Sequence, residues 1–179
     1  MSEIRLVIDQ TKLTYEGIFD LKGLYEMITQ FFYEKGGDYE EKLNTEQIFP
    51  HGRNIKIELA PYKNITDYFK LIYRIRIYGT GIKNVELEQD GSKIPLNDGK
   101  LMIIIDGYIM SDRYNKWEQK PIQWFFRALA DKYIFKGHYL KAEQWLMSDV
   151  DDLYLRLKSF LNVYRSSRER GVISEQIIS

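Results

Sequence analysis

The chain has 179 residues, enough for one domain with a substantial core of its own. Lys plus Arg number 26 and Asp plus Glu number 26, so the net charge is zero and gives no global pull toward nucleic acid or anionic lipid. There is no cysteine and the histidines are His51 and His138 alone, which excludes disulfides, thiol catalysis, Cys-based zinc or iron–sulfur sites and a His-rich metal site.

The N-terminus alternates polar with apolar residues. It lacks the basic start and continuous apolar core of a signal peptide. No window approaches about 18 uninterrupted apolar residues, the span of a bilayer. A cytoplasmic protein is expected. Richness in Ile, Lys, Glu and Tyr without cysteine fits a thermophile or an archaeon.

Ile4, Leu6 and Ile8 alternate with Arg5, Val7 and Asp9 and predict a first strand, with residues 12–19 continuing in extended form. Asp20 is placed to cap a helix. Leu21, Leu24, Tyr25, Ile28, Phe31 and Phe32 would line one face of it, and Gly36-Gly37 would end it. Residues 40–48 are charged and weakly patterned, as in an edge strand. Phe49-Pro50-His51-Gly52 predicts a turn. Ile55, Ile57 and Leu59 alternate inward, and Pro61 ends that strand.

Phe69, Leu71, Tyr73, Ile75 and Ile77 form the next inward face, with Lys70, Arg74 and Arg76 outward. Gly79-Thr80-Gly81 is expected to be a hairpin turn before a short strand at Val85 and Leu87. Asp90-Gly91 and Asn97-Asp98-Gly99 are further turn signals. Residues 101–105 are all apolar, which predicts a central strand covered on both faces. Residues 112–120 form a polar link. Pro121 suits the first turn of a helix with a stripe at Ile122, Phe125, Phe126, Leu129 and Tyr133. Gly137-His138 would break it. The last helix carries a heptad seam, Leu146, Val150, Leu153, Leu157, Phe160 and Tyr164, and runs to about Ser166.

The expected fold is α+β: an antiparallel meander of about six strands, with one N-terminal helix and two C-terminal helices packed on the sheet. Residues 1–166 would form a single domain. The tail, residues 167–179, has no partner pattern and is expected to be disordered. In topology the chain resembles the START-like, helix-grip superfamily. The matching stretches are residues 4–8, 21–33, 55–109 and 139–164. The resemblance implies an apolar cavity between sheet and final helix, suited to a lipid-like or aromatic ligand. It carries no short motif, and the helix over residues 122–135 departs from it.

No catalytic or metal motif stands out. Gly79-Thr80-Gly81 lacks the third glycine and the helix of a dinucleotide loop. Asp149 and Asp152 share a helix face and could hold Mg²⁺ or Ca²⁺, but a solvated face is the favoured reading. Glu40 and Glu41 receive the same reading. Lys70, Arg74 and Arg76, with Tyr78, could meet single-stranded nucleic acid. Cross-strand pairing with Glu86 and Glu88 is favoured instead, so nucleic acid is not expected. Neither histidine has an assignable partner.

Trp117, Trp124 and Trp145 fall in the C-terminal third, and Trp124 lies off its stripe. Trp145, Tyr154 and Leu161 lie outside the seam of the last helix. Such rings either anchor an interface or fill a second buried face. The leading expectation is a non-enzymatic interaction domain binding a protein partner or itself through Trp117, Trp124, Trp145 and Tyr154, with no cofactor and no metal. The alternative is a helix-grip binder of a small apolar ligand, and an enzyme using carboxylates and tyrosines ranks last.

Overall fold

Alternation carries the first strand well past Ile8. In the computed structural model, which describes residues 3–66, 68–89, 92–111, 136–169 and 173–174, β1 is one strand, Glu3–Phe19. Asp20 then caps α1 (Leu21–Glu34), its carboxylate accepting the Gly23 N–H at 2.9 Å. Gly36 takes the left-handed conformation just past the helix end, φ 70°. β2 (Glu41–Phe49) and β3 (Gly52–Leu59) form a hairpin, and β4 (Tyr62–Asn64) is a short strand after Pro61. β5 (Phe69–Gln89) and β6 (Ser92–Ser111) follow, then α2 (Lys136–Glu169) and the two-residue β7 (Ile173–Ser174).

The expected α+β fold with an antiparallel sheet is what the chain forms. The sheet order is β1-β6-β5-β3-β2, with β4 and β7 each added to β5. β1 therefore closes against the last long strand, and α1 carries the chain from one edge of the sheet to the other.

Two expected turns are interior to strands. β5 pairs with β6 from Phe69 opposite Ser111 to Gln89 opposite Ser92, straight through Gly79-Thr80-Gly81 and Asn97-Asp98-Gly99. The glycines serve close approach and a bulge. A Cβ at Gly79 would lie 2.3 Å from Ile82 Cδ1 and 2.5 Å from Ile55 Cγ1. Gly81, at φ 62°, takes up the register shift between Thr80 and Lys83. The expected strand at Val85 and Leu87 is thus the far half of β5.

The core lies between the sheet and the two helices. Leu24, Ile28, Phe31 and Phe32 of α1, and Ala142, Leu146, Val150, Leu153, Leu157 and Leu161 of α2, meet Leu71, Tyr73, Ile75, Ile103 and Ile105. Burial of each of the leucine, isoleucine, valine and phenylalanine side chains contributes about 1.5–3 kcal/mol. At Gly107 the helix packs directly on the sheet: an added Cβ would lie 3.1 Å from Leu146 Cδ2. β6 is interior, as residues 101–105 suggest, but one of its faces carries no helix among the described residues. Leu101, Ile103 and Ile105 are buried, while Met102 and Ile104 are only half-buried. Lys12 and Arg76 flank Ile104, and Thr14 and Tyr78 flank Met102, so cross-strand side chains supply the second cover.

Three expectations at the C-terminal end change. Gly137 and His138 lie in the first turn of α2 instead of breaking a helix. α2 runs on to Glu169, and part of the supposedly disordered tail, Ile173–Ser174, pairs with β5. The predicted link and helix over residues 112–135, and the Asp90-Gly91 turn, lie outside the described residues.

Candidate functional site

α2 presents three different surfaces besides its buried seam. The first is acidic and points toward α1. Asp149 is 7% exposed, not solvated. The Tyr73 hydroxyl donates to its Oδ2 at 2.8 Å. Lys35 Nζ lies 3.2 Å from Asp149 Oδ1 and 3.0 Å from Asp152 Oδ2, and Lys63 Nζ is 4.0 Å from Asp149 Oδ2. The two carboxylates do converge, as their spacing on one face suggests, but on an ammonium. Lys35 occupies the place a divalent cation would need. Among the described residues no group of three or more His, Cys, Asp or Glu side chains is arranged to hold a metal ion.

The electrostatics follow from this packing. Burial, and then the adjacent Asp149, push the Tyr73 hydroxyl far above the usual tyrosine value. Lys35 is raised by its bond to Asp152 and next by Asp149. Asp152 is held below the usual carboxylate range, first by Lys35. Arg156 extends the chain of charges to Asp152 and Glu34, at 3.4 and 3.0 Å. The arrangement ties the C-terminal end of α1 to α2 and the sheet. Lys35 and Tyr73 were not legible as its members. Lys35 stands at the helix end before two glycines, where a cation suits the helix dipole, and that was the available signal.

The second and third surfaces are apolar and exposed. At about 100° per residue, Leu140, Met147 and Tyr154 step by seven along one flank. Leu140 is 54% and Met147 46% exposed, and Tyr154 is half-buried. Glu143, on the same side of the helix, pairs with Arg5 of β1 at 3.0 Å, so this flank borders the β1 edge of the sheet. Trp145, 48% exposed, and Val163 lie on the opposite flank, beside the acidic surface. Trp145 and Tyr154 are nine residues apart and hence about 180° apart around α2. One patch cannot contain both. Trp117 and Trp124 lie outside the described residues. Leu140 and Met147 were overlooked, though their spacing from Tyr154 was visible.

Lys70, Arg74, Arg76 and Tyr78 share the face of β5 that carries no helix among the described residues. The expected partners Glu86 and Glu88 are not across from them, because all six residues belong to one strand. Arg74 Nε donates to Glu58 Oε1 on β3 at 2.8 Å, and Arg76 Nη2 to Asp106 Oδ2 on β6 at 2.6 Å. Asp106 is buried and also accepts the Gln10 N–H at 2.9 Å, where β1 is bulged. Lys70 lies 3.5 Å from the Tyr62 ring centroid. The expected pairing with Glu86 and Glu88 is not formed; Glu58 and Asp106 take the two arginines instead. Glu86 instead meets Lys93 at 3.1 Å. His51 stacks on Phe49 in the turn between β2 and β3, and His138 sits in the first turn of α2. Glu40 and Glu41 are exposed, with Glu41 accepting from the Tyr25 hydroxyl.

The chain matches no protein-family model and shows no significant similarity to any curated protein. No helix among the described residues is long and apolar enough to cross a membrane.

Proposed function

We propose that this is a non-enzymatic protein-interaction domain whose docking surface is the flank of α2 carrying Leu140, Met147 and Tyr154. The observation that carries this reading is surplus apolar surface. The seam of α2 already satisfies its core, with Leu146, Leu153 and Leu157 at 0% exposure, yet large apolar residues recur outside it. A solvent-facing helix flank is ordinarily polar, and exposed apolar stripes with polar borders mark contact sites. Gln144, Asp151 and Lys158 supply that polar border. Trp117 and Trp124 remain proposed contributors, and Trp145 belongs to a separate flank.

A helix-grip binder of a small apolar ligand is the second reading. The order of strand, helix, meander and long closing helix favours it. Against it, residues lining a cavity would retain accessible surface. Those facing each other between α2 and the sheet have almost none: Leu71, Ile75, Leu146, Leu153 and Leu157 are all at 0%.

The test pairs Leu140→Glu with Met147→Glu, and separately Trp145→Glu, in the full chain. Static light scattering and co-purification from cells that make the protein natively report association. The double variant should stay folded and lose its partner or its self-association, while Trp145→Glu keeps it. Equal association by wild type and the double variant overturns the proposal.

A further inference from the structure

Of the edges the sheet leaves open among the described residues, three are each protected by a different device. β1 is broken by register shifts between Leu6 and Ile8 and between Ile8 and Thr11. Bulges of this kind discourage strand addition. β2 carries Glu41, Lys42 and Glu46 along an edge exposed throughout. The third edge belongs to β5, which outruns β3. The last β3 pairing on it is Arg53 with Ile82, yet β5 continues to Gln89. Among the described residues this overhang meets only β7, through Glu86 with Ser174 and Leu87 with Ile173. The tail of the chain is the cover.

That cover is short. Residues 170–172 alone separate it from the end of α2. Two residues exchange few backbone hydrogen bonds, so the tail is kept in place chiefly by tethering. The strand beneath is a firm platform. Val85 is buried with Ile18 and Leu96, and Tyr164 of α2 packs on all three as a group. Backbone pairing on such an edge asks only for an extended segment with strand-favouring side chains. The tail itself supplies Val172, Ile173, Ile177 and Ile178.

We infer that the overhanging edge of β5, centred on Glu86 and Leu87, is a strand-acceptor site, occupied in cis by the chain's own tail and open in trans to an extended, β-branched segment of another protein chain. A segment that pairs along more of the overhang makes more ladder bonds than β7 and displaces it. The site is independent of the α2 flank, since it uses backbone on a different element.

The probe is a fluorescent peptide of residues 170–179, read by anisotropy against the full chain. Wild type is compared with Ile173→Pro/Ser174→Pro, which cannot form the β7 ladder. The proline variant should bind the peptide about tenfold or more tightly than wild type does, because the tethered competitor is gone. A peptide with proline at both paired positions should bind neither. Should the proline chain misfold by circular dichroism, Ile173→Gly/Ser174→Gly keeps the donors, weakens the strand, and should shift affinity the same way by less. A folded variant that binds the peptide no better than wild type overturns the inference.

Discussion

Asp149 can remain among apolar side chains because other groups compensate it: the Tyr73 hydroxyl, the Lys35 ammonium and, more distantly, Lys63. Removing one partner from a buried polar set costs more than the bond itself, since the group left behind is desolvated without compensation. Tyr73→Phe should therefore destabilise the protein by about 1–3 kcal/mol near neutral pH. The effect should depend on pH with a fixed sign. The folded-state value of Tyr73 is raised, so its stabilisation is complete below about pH 10, where tyrosine titrates in the unfolded chain, and is lost as pH rises beyond that. Lys35, also raised, acts in the same direction on the same alkaline limb. Urea titrations of both proteins at neutral pH and again above about pH 10 should show the gap narrowing. A gap that is constant, or absent at neutral pH, would remove Tyr73 from this role. None of these partnerships was legible in the chain order. Two aspartates three apart show which helix face they share, but not whether water or a lysine from another helix lies in front of them.

At the scale of elements, the helices were the most legible parts. Asp20, the stripe from Leu21 to Phe32, and Gly36 mark the start, face and end of α1, each for a local reason. The seam of α2 from Leu146 to Leu157 is likewise written as a period, and it is buried. Leu153→Ala should cost about 2–5 kcal/mol by leaving a cavity between helix and sheet. Leu155→Ala, two residues on and 61% exposed, should change stability little. Chemical denaturation showing equal losses would mean that α2 does not pack as described. The strands were harder to delimit. Glycine punctuates turns, but it also permits close packing, and composition alone does not separate the two uses. At Gly79 and Gly81 the second use applies, and β5 runs through what looked like a hairpin. The unbroken apolar run in β6 was similarly ambiguous. It marks an interior strand, yet among the described residues its second face is covered by neighbouring strand side chains and carries no helix.

For the whole molecule, the two described helices lie on one face of the sheet and fill the space against it. Among the described residues, three features lie outside that core: an apolar flank on α2, a paired set of charges on the opposite face of the sheet, and a strand edge that meets β7. Among the described residues, polar groups converge around Asp149, where they neutralise one another and fasten α1 to α2. The proposed function lies elsewhere, on the exposed flank of α2. The most direct measurement is photo-crosslinking in cells that make the protein natively, with a photoreactive residue replacing Met147 in one chain and Lys12 in another. Position 147 should yield a discrete crosslinked species, and position 12, exposed on the edge strand β1, should not. No species from position 147, or the same products from both positions, would contradict the account.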